Sequence, residues 1–234
     1  MIGFLWLGVF MSVSLSGYSQ FDIQRGTNIS HWLSQSDRRG EEREAWFTPE
    51  DVSRIASLGY DHIRLPVDEE QLWDEDGSRH MKAFALLHNA ISWASQEGLK
   101  VVVDLHIVRS HHFNEGLRPL FDDPAEQDAF IDLWRDLSSD LKHYPNELVA
   151  YEILNEAVAD DPADWNRLVA RTVEVIRKQE PERKIVIGSN RWQSVETFPE
   201  LEVPANDPNI ILSFHFYHPM VLTHYKASWT PVGE

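Results

Sequence analysis

Hydrophobic positions along the chain fall into two alternating patterns. Short runs such as Leu99-Lys100-Val101-Val102-Val103-Asp104-Leu105-His106 are nearly continuous, which suits a parallel strand covered on both faces. Between them lie longer stretches with apolar residues three and four apart, the spacing of one helix face. Six strands are predicted: Phe21 to Ser30, His62 to Val67 (stopped by Pro66), Leu99 to His106, Val149 to Glu156, Lys184 to Ser189, and Ile210 to Tyr217. Helices are predicted from a Thr48-Pro49-Glu50-Asp51 start to Leu58, over Met81 to Glu97, over Pro124 to His143, and after an Asp161-Pro162 start. The charged stretch from Ser36 to Glu44 reads as a loop.

Strands alternating with helices imply βα units in a right-handed parallel arrangement. No glycine-rich phosphate loop follows the first strand, which argues against a nucleotide-binding doubly wound sheet. A closed (β/α)8 TIM barrel needs eight units, and about six are countable. The expected fold is therefore a (β/α)8 TIM barrel of α/β class, with its C-terminal part missing from the chain.

The pattern also places chemistry. Each strand ends in a polar or aromatic group: Asn28 with Trp32 after the first, Arg64 in the second, His106 ending the third, Asn155 and Glu156 ending the fourth. Trp192 follows the fifth strand, and His215 with Tyr217 belongs to the sixth. Any one of these has a plain structural alternative, such as a core histidine or a structural ion pair. Their recurrence at the C-terminal end of successive strands is how a barrel assembles one site. Glu156 suits acid catalysis, Asn155 can bond a substrate hydroxyl, and Arg64 can keep a second carboxylate ionised. Trp32, Trp192 and Trp229 sit in loops and offer flat faces on which sugar rings stack, whereas Trp93 and Trp134 suit helix-to-barrel packing.

Composition narrows the partners. A net charge of −17 disfavours nucleic-acid phosphates and anionic membrane surfaces, and is compatible with a neutral polymer. Cysteine is absent, so no disulfide, thiol nucleophile or Cys-ligated zinc is available. Residues 1–19 carry an apolar run from Ile2 to Leu15, then Gly17 and Ser19, and read as an export signal cleaved after Ser19. A buried first strand is the alternative. Residues 20–234 are then one domain, expected to be monomeric and secreted or periplasmic.

The sequence resembles glycoside hydrolase family 5 of clan A, the cellulase family. The resemblance rests on Arg-Gly-Thr-Asn-Ile-Ser (25–30), Ile-Arg-Leu-Pro (63–66), Val-Asp-Leu-His (103–106), Ile-Leu-Asn-Glu (153–156) and His-Phe-Tyr-His-Pro (215–219). It implies a retaining glycosidase with Glu156 as general acid/base and Asn155 as its substrate-binding neighbour. Arg64 would support the nucleophile's charge, His106 would line the site, and His215 and Tyr217 would orient substrate and nucleophile. Asn28, Trp32, Trp192 and Trp229 would contact substrate. The resemblance also implies a nucleophilic glutamate ending a seventh strand and a tryptophan after an eighth. Neither is present in the chain, and Glu152 and Glu234 are not assigned the role.

The expected activity is endo-β-1,4-glucanase, acting on β-glucan or a related plant polysaccharide without cofactor or metal. A β-mannanase or xyloglucanase would share these residues. A non-catalytic carbohydrate-binding barrel fragment is a further alternative, raised by the absent nucleophile. A metal-dependent hydrolase would need a cluster among His106, His111, His112, His215 and His218, where His111 and His112 read as a groove-side or exposed loop.

Overall fold

The computed structural model describes residues 21–114, 119–227, 230 and 231. The expectations for residues 1–19, Trp229 and Glu234 lie outside the described residues. The strands β1 (Gly26–Asn28), β2 (His62–Asp68), β3 (Lys100–Ile107), β4 (Val149–Glu152), β5 (Lys184–Gly188) and β6 (Ile210–Ser213) form one sheet. They pair in chain order and every pair is parallel. This is the arrangement expected of six consecutive βα units of a (β/α)8 barrel. Among the described residues, no helix is long and apolar enough to cross a membrane.

Four long helices, Pro49–Ser57, Met81–Gln96, Pro124–Leu141 and Pro162–Gln179, return the chain between β1 and β5. Their starts follow from the sequence. Thr48 and Asp51 form a reciprocal capping box, and the Asp123 and Asp161 carboxylates accept from Ala125 N and Ala163 N at 2.8 and 2.9 Å. Such caps contribute about 1 kcal/mol each. From β5 to β6 the chain crosses only by a helical turn, Asn190–Gln193, and the 3-10 helix Val195–Glu200.

The core has two layers because alternate strand residues face opposite sides. Ile63, Leu65, Val101, Val103, Tyr151 and Ile185 pack against helix residues such as Leu87, Ile91 and Trp134. On the other face Val102, Ala150 and Val186 close around Phe21, with Ile23 and Ile211 against them. Both faces are buried, hence the continuous apolar runs.

Three strands are shorter than predicted, each for a visible reason. In the first, the Asp61 carboxylate accepts Gln24 N at 2.9 Å and Arg25 N at 3.1 Å, so those donors do not join the ladder, and Phe21 turns inward as a plug. The fourth leaves the ladder after Glu152 and turns at Glu156, whose φ is 48°. The sixth ends at Ser213, beyond which His215 N donates to Gln193 O at 2.9 Å. Pro66, in contrast, does not stop β2. Arg64 O accepts from Ile29 N, so alternate β2 residues face β1, and Pro66 lacks its N–H where β1 has already ended. Within the predicted loop at Ser36 to Glu44, the last five residues form a helical turn, Gly40–Glu44.

Candidate active site

The C-terminal ends of the strands open into a cleft of about 960 Å³. Asn28, Arg64, His106, Asn155, Glu156, Trp192, His215 and Tyr217 all line it. Eight of the ten residues singled out in the sequence thus meet in one place.

Glu156 stands at the turn after β4, 8% exposed. His215 Nδ1 donates to its Oε1 at 2.5 Å, and the Tyr217 hydroxyl donates to the same oxygen at 3.3 Å. Both bonds converge on one oxygen and leave Oε2 for a substrate. Burial and the Glu156 charge push the Tyr217 hydroxyl up to about 12, so it stays a donor at any ordinary pH. The resemblance gave His215 and Tyr217 to substrate and nucleophile; here both reach Glu156.

Arg64 is the hub beneath the cleft. Its Nε and one terminal nitrogen take both oxygens of Glu152, at 2.7 and 3.1 Å. It also reaches Asp104 at 2.9 Å, Asn155 Oδ1 at 2.9 Å and Asn28 Oδ1 at 3.0 Å. Burial opposes the guanidinium's charge, but Asp104 and Glu152 outweigh it and raise its pKa. Burial alone would raise Glu152, and the Arg64 fork reverses that and holds it below the usual carboxylate range. Asp104, also buried, is pushed up despite Arg64. The carboxylates that Arg64 keeps in place are therefore Glu152 and Asp104. Because Arg64 takes the oxygens of Asn28 and Asn155, their amide NH2 groups remain for ligand hydroxyls.

Asp104 also accepts from His106 Nδ1 at 2.7 Å, which leaves Nε2 on the cleft side, and Phe113 packs edge-on to that ring. Trp192, 42% exposed, donates its Nε1 to Phe113 O at 2.9 Å. It belongs to three consecutive left-handed residues, Arg191, Trp192 and Gln193. Gly188 permits this turn, since a Cβ there would come within 2.3 Å of the Gln193 side chain. Gln193 in turn donates to Glu152 at 3.3 Å.

Two expectations are corrected. Trp32 is completely buried; its Nε1 donates to Arg43 O at 2.8 Å and its ring meets Phe47 edge-on, so it is core and touches no ligand. His111 is 1% exposed, with Nε2 donating to Glu156 O at 3.3 Å, and so supports the turn that carries Glu156. Among the described residues, no three His, Asp or Glu side chains gather as metal ligands do.

Sequence reasoning passed over Asp104 as a site residue and considered Glu152 only as a nucleophile. A signal existed for both: a carboxylate inside an apolar strand needs a cation, and Arg64 was the cation available. Phe113 and Gln193 carried no comparable signal.

A parallel sheet with carboxyl, amide and imidazole groups converging at its C-terminal rim is the arrangement in which (β/α)8 barrels build their sites. The cellulase model (glycosyl hydrolase family 5) matches residues 21–232, and the chain belongs to that family. Endoglucanase C of Acetivibrio thermocellus is 34% identical over 89% of this chain and 61% of its own length. Cellodextrinase A of Ruminococcus flavefaciens is 32% identical over 89% of this chain and 62% of its own. Thermotoga maritima Cel5A, solved in complex with mannotriose, superposes with a TM-score of 0.75 at 26% identity, over 89% of this chain and 65% of that one. The chain thus spans about three-fifths of the curated relatives' length.

Proposed function

We propose that this chain carries the acid/base half of the active site of a retaining endo-β-1,4-glucanase that acts outside the cytoplasm. The observation that carries the reading is the Glu156 carboxyl group, fixed through one oxygen by His215 and Tyr217 with the other toward the cleft. In the first step Glu156 gives its proton to the glycosidic oxygen as the C1–O bond breaks, while a second carboxylate bonds to C1. In the second step Glu156 takes a proton from the water that displaces that carboxylate. The second carboxylate is assigned outside the described residues. Glu152 and Asp104 are engaged by Arg64, and Glu196, also on the cleft wall, stands on an exposed turn. Asn155 and Asn28 bind hydroxyls of the sugar being cleaved, and Trp192 offers an exposed face at the other side of the cleft.

The test uses the full-length protein on soluble β-1,4-glucan. Viscosity is expected to fall faster than reducing ends appear, as internal cleavage requires. Glu156→Gln should lower kcat by about 10² to 10⁴. Near-normal turnover by that variant refutes the assignment. Mannan is the necessary second substrate, because structures of Thermotoga maritima Cel5A exist with both mannotriose and cellobiose.

A further inference from the structure

The turn that leaves β5 is built around one side chain that the mechanism above does not use. Gln193 is 1% exposed, stands in left-handed backbone at φ 54°, and donates its Nε2 to Glu152 Oε1 at 3.3 Å. Its backbone oxygen accepts His215 N at 2.9 Å. We infer that Gln193 is a positioning residue: it ties the Arg64–Glu152 pair to the His215–Glu156 pair and so sets how Glu156 meets the glycosidic oxygen. The inference rests on the glycanase reading for the reaction that it serves.

Three observations carry it. First, the contacts close a ring. From the Glu152 carboxylate the path runs through the Gln193 side chain to the Gln193 carbonyl, across to His215 N, and from His215 Nδ1 to Glu156 Oε1 at 2.5 Å. The main chain from Glu156 back to Glu152 completes it. Linked hydrogen bonds of this kind hold their members better than the same bonds made singly. The pairing of β6 with β5 ends at Gly188 and Ser213, and beyond it His215 is joined to the β5 exit through Gln193 O and a bridge to Ser194.

Second, the same turn grips the chain on the other side of Glu156. Trp192 N donates to Ala157 O at 3.2 Å, and the Asn190 amide pairs with Ala159 N and Ala159 O at 2.7 and 2.9 Å. Third, stability alone does not select this arrangement. Arg191, Trp192 and Gln193 are consecutive left-handed residues, none of them glycine, and Gln193 Oε1 meets no donor among the described residues. Each of these features costs free energy. An apolar side chain would fill the space beside Gly188 without the second cost, but it could not donate to Glu152. Arg64 holds Glu152 as a carboxylate, which only accepts, so the amide presents its NH2 there and its oxygen elsewhere.

The experiment uses Gln193→Asn in the full-length protein. Asn suits left-handed backbone, so the turn is kept, but its amide is one methylene short of Glu152. The value of kcat/KM is measured on cellotetraose, whose leaving oxygen needs a proton, and on 2,4-dinitrophenyl β-cellobioside, whose leaving oxygen does not. The variant should lose about tenfold to 100-fold on the first and less than about threefold on the second. Equal losses overturn the inference, because a structural defect lowers both values alike, and so does an undiminished value on cellotetraose. Proton NMR of the protein with isotopically labelled histidine is recorded alongside. The His215 Nδ1–H signal, assigned by its absence from His215→Asn, should shift in Gln193→Asn. An unmoved signal overturns the inference whatever the kinetics. A shifted signal in a protein whose parent turns over neither substrate sinks the glycanase reading and keeps the tie between the two pairs.

Discussion

Two arginines of the same sheet, one at its N-terminal edge and one beneath the cleft, show how one kind of ion chemistry serves two purposes. Arg183, 1% exposed, lies at the N-terminal end, just before β5. It pairs with Glu180 at 2.5 Å and donates to the carbonyls of Tyr144 and Val149, both at 2.7 Å, and of Pro145 at 3.1 Å. Most of its partners are backbone, so it fixes where the chain enters β4 and β5. Arg64 lies within β2, beneath the cleft, and holds only side chains, two carboxylates and two amides, with 21% of its own side chain still exposed. Arg183 serves the fold, and Arg64 arranges groups that line the cleft. In a barrel these are the expected roles of the two ends.

The comparison can be broken most directly at Arg64. Arg64→Met should lower kcat/KM by roughly 100-fold through displaced Asn28 and Asn155, and destabilise by about 3–5 kcal/mol through two unpaired buried carboxylates. Full activity in that variant would erase the distinction. Next in size, Arg183→Met should cost about 3–5 kcal/mol in denaturant titrations while leaving kcat/KM per folded molecule unchanged. A matching loss of kcat/KM would show that the lower end also shapes the site.

Acidity sharpens the contrast with a smaller effect. Glu152 is held below the usual carboxylate range, so its contribution to stability is complete above its unfolded value of about 4.3 and is lost as pH falls through the lower folded value. Asp104 is raised and acts with opposite sign: ionised it costs stability, and that cost lifts as pH falls through its folded value. The two partly cancel. Asp104→Asn should therefore steepen the acid loss, measured as ΔG of unfolding between about pH 3 and 6. A flatter profile would reverse the assignment of which carboxylate Arg64 favours.

Much of the molecule is legible in its sequence, for physical reasons that can be named. The continuous apolar runs of β3 and β5 mark strands buried on two faces, and Thr48, Asp123 and Asp161 mark helix starts by chemistry confined to a few residues. Most of the cleft residues could be found because they lie at or just past the end of a strand, and Arg64, inside β2, because it is a charge within an apolar run. Trp32 and Trp46 show the limit. Both sit outside the main strands and helices, yet one is fully buried and the other half in solvent, because Arg43 O and Phe47 meet the first across the loop. Contacts that distant leave no local trace. The late start of β1 is a similar case, decided by Asp61 more than thirty residues away.

The bonds made by Arg64 span 36 residues to Asn28, 88 to Glu152 and 91 to Asn155. Contacts of such sequence separation form late, because much of the chain must already be ordered before they can close. During synthesis, Arg64 emerges long before Glu152 and Asn155, and must wait for them. The set of groups that Arg64 gathers is therefore complete only once β1 to β4 stand side by side, and no earlier state of the chain presents them together. A ligand that needs them could serve as a reporter of completed assembly.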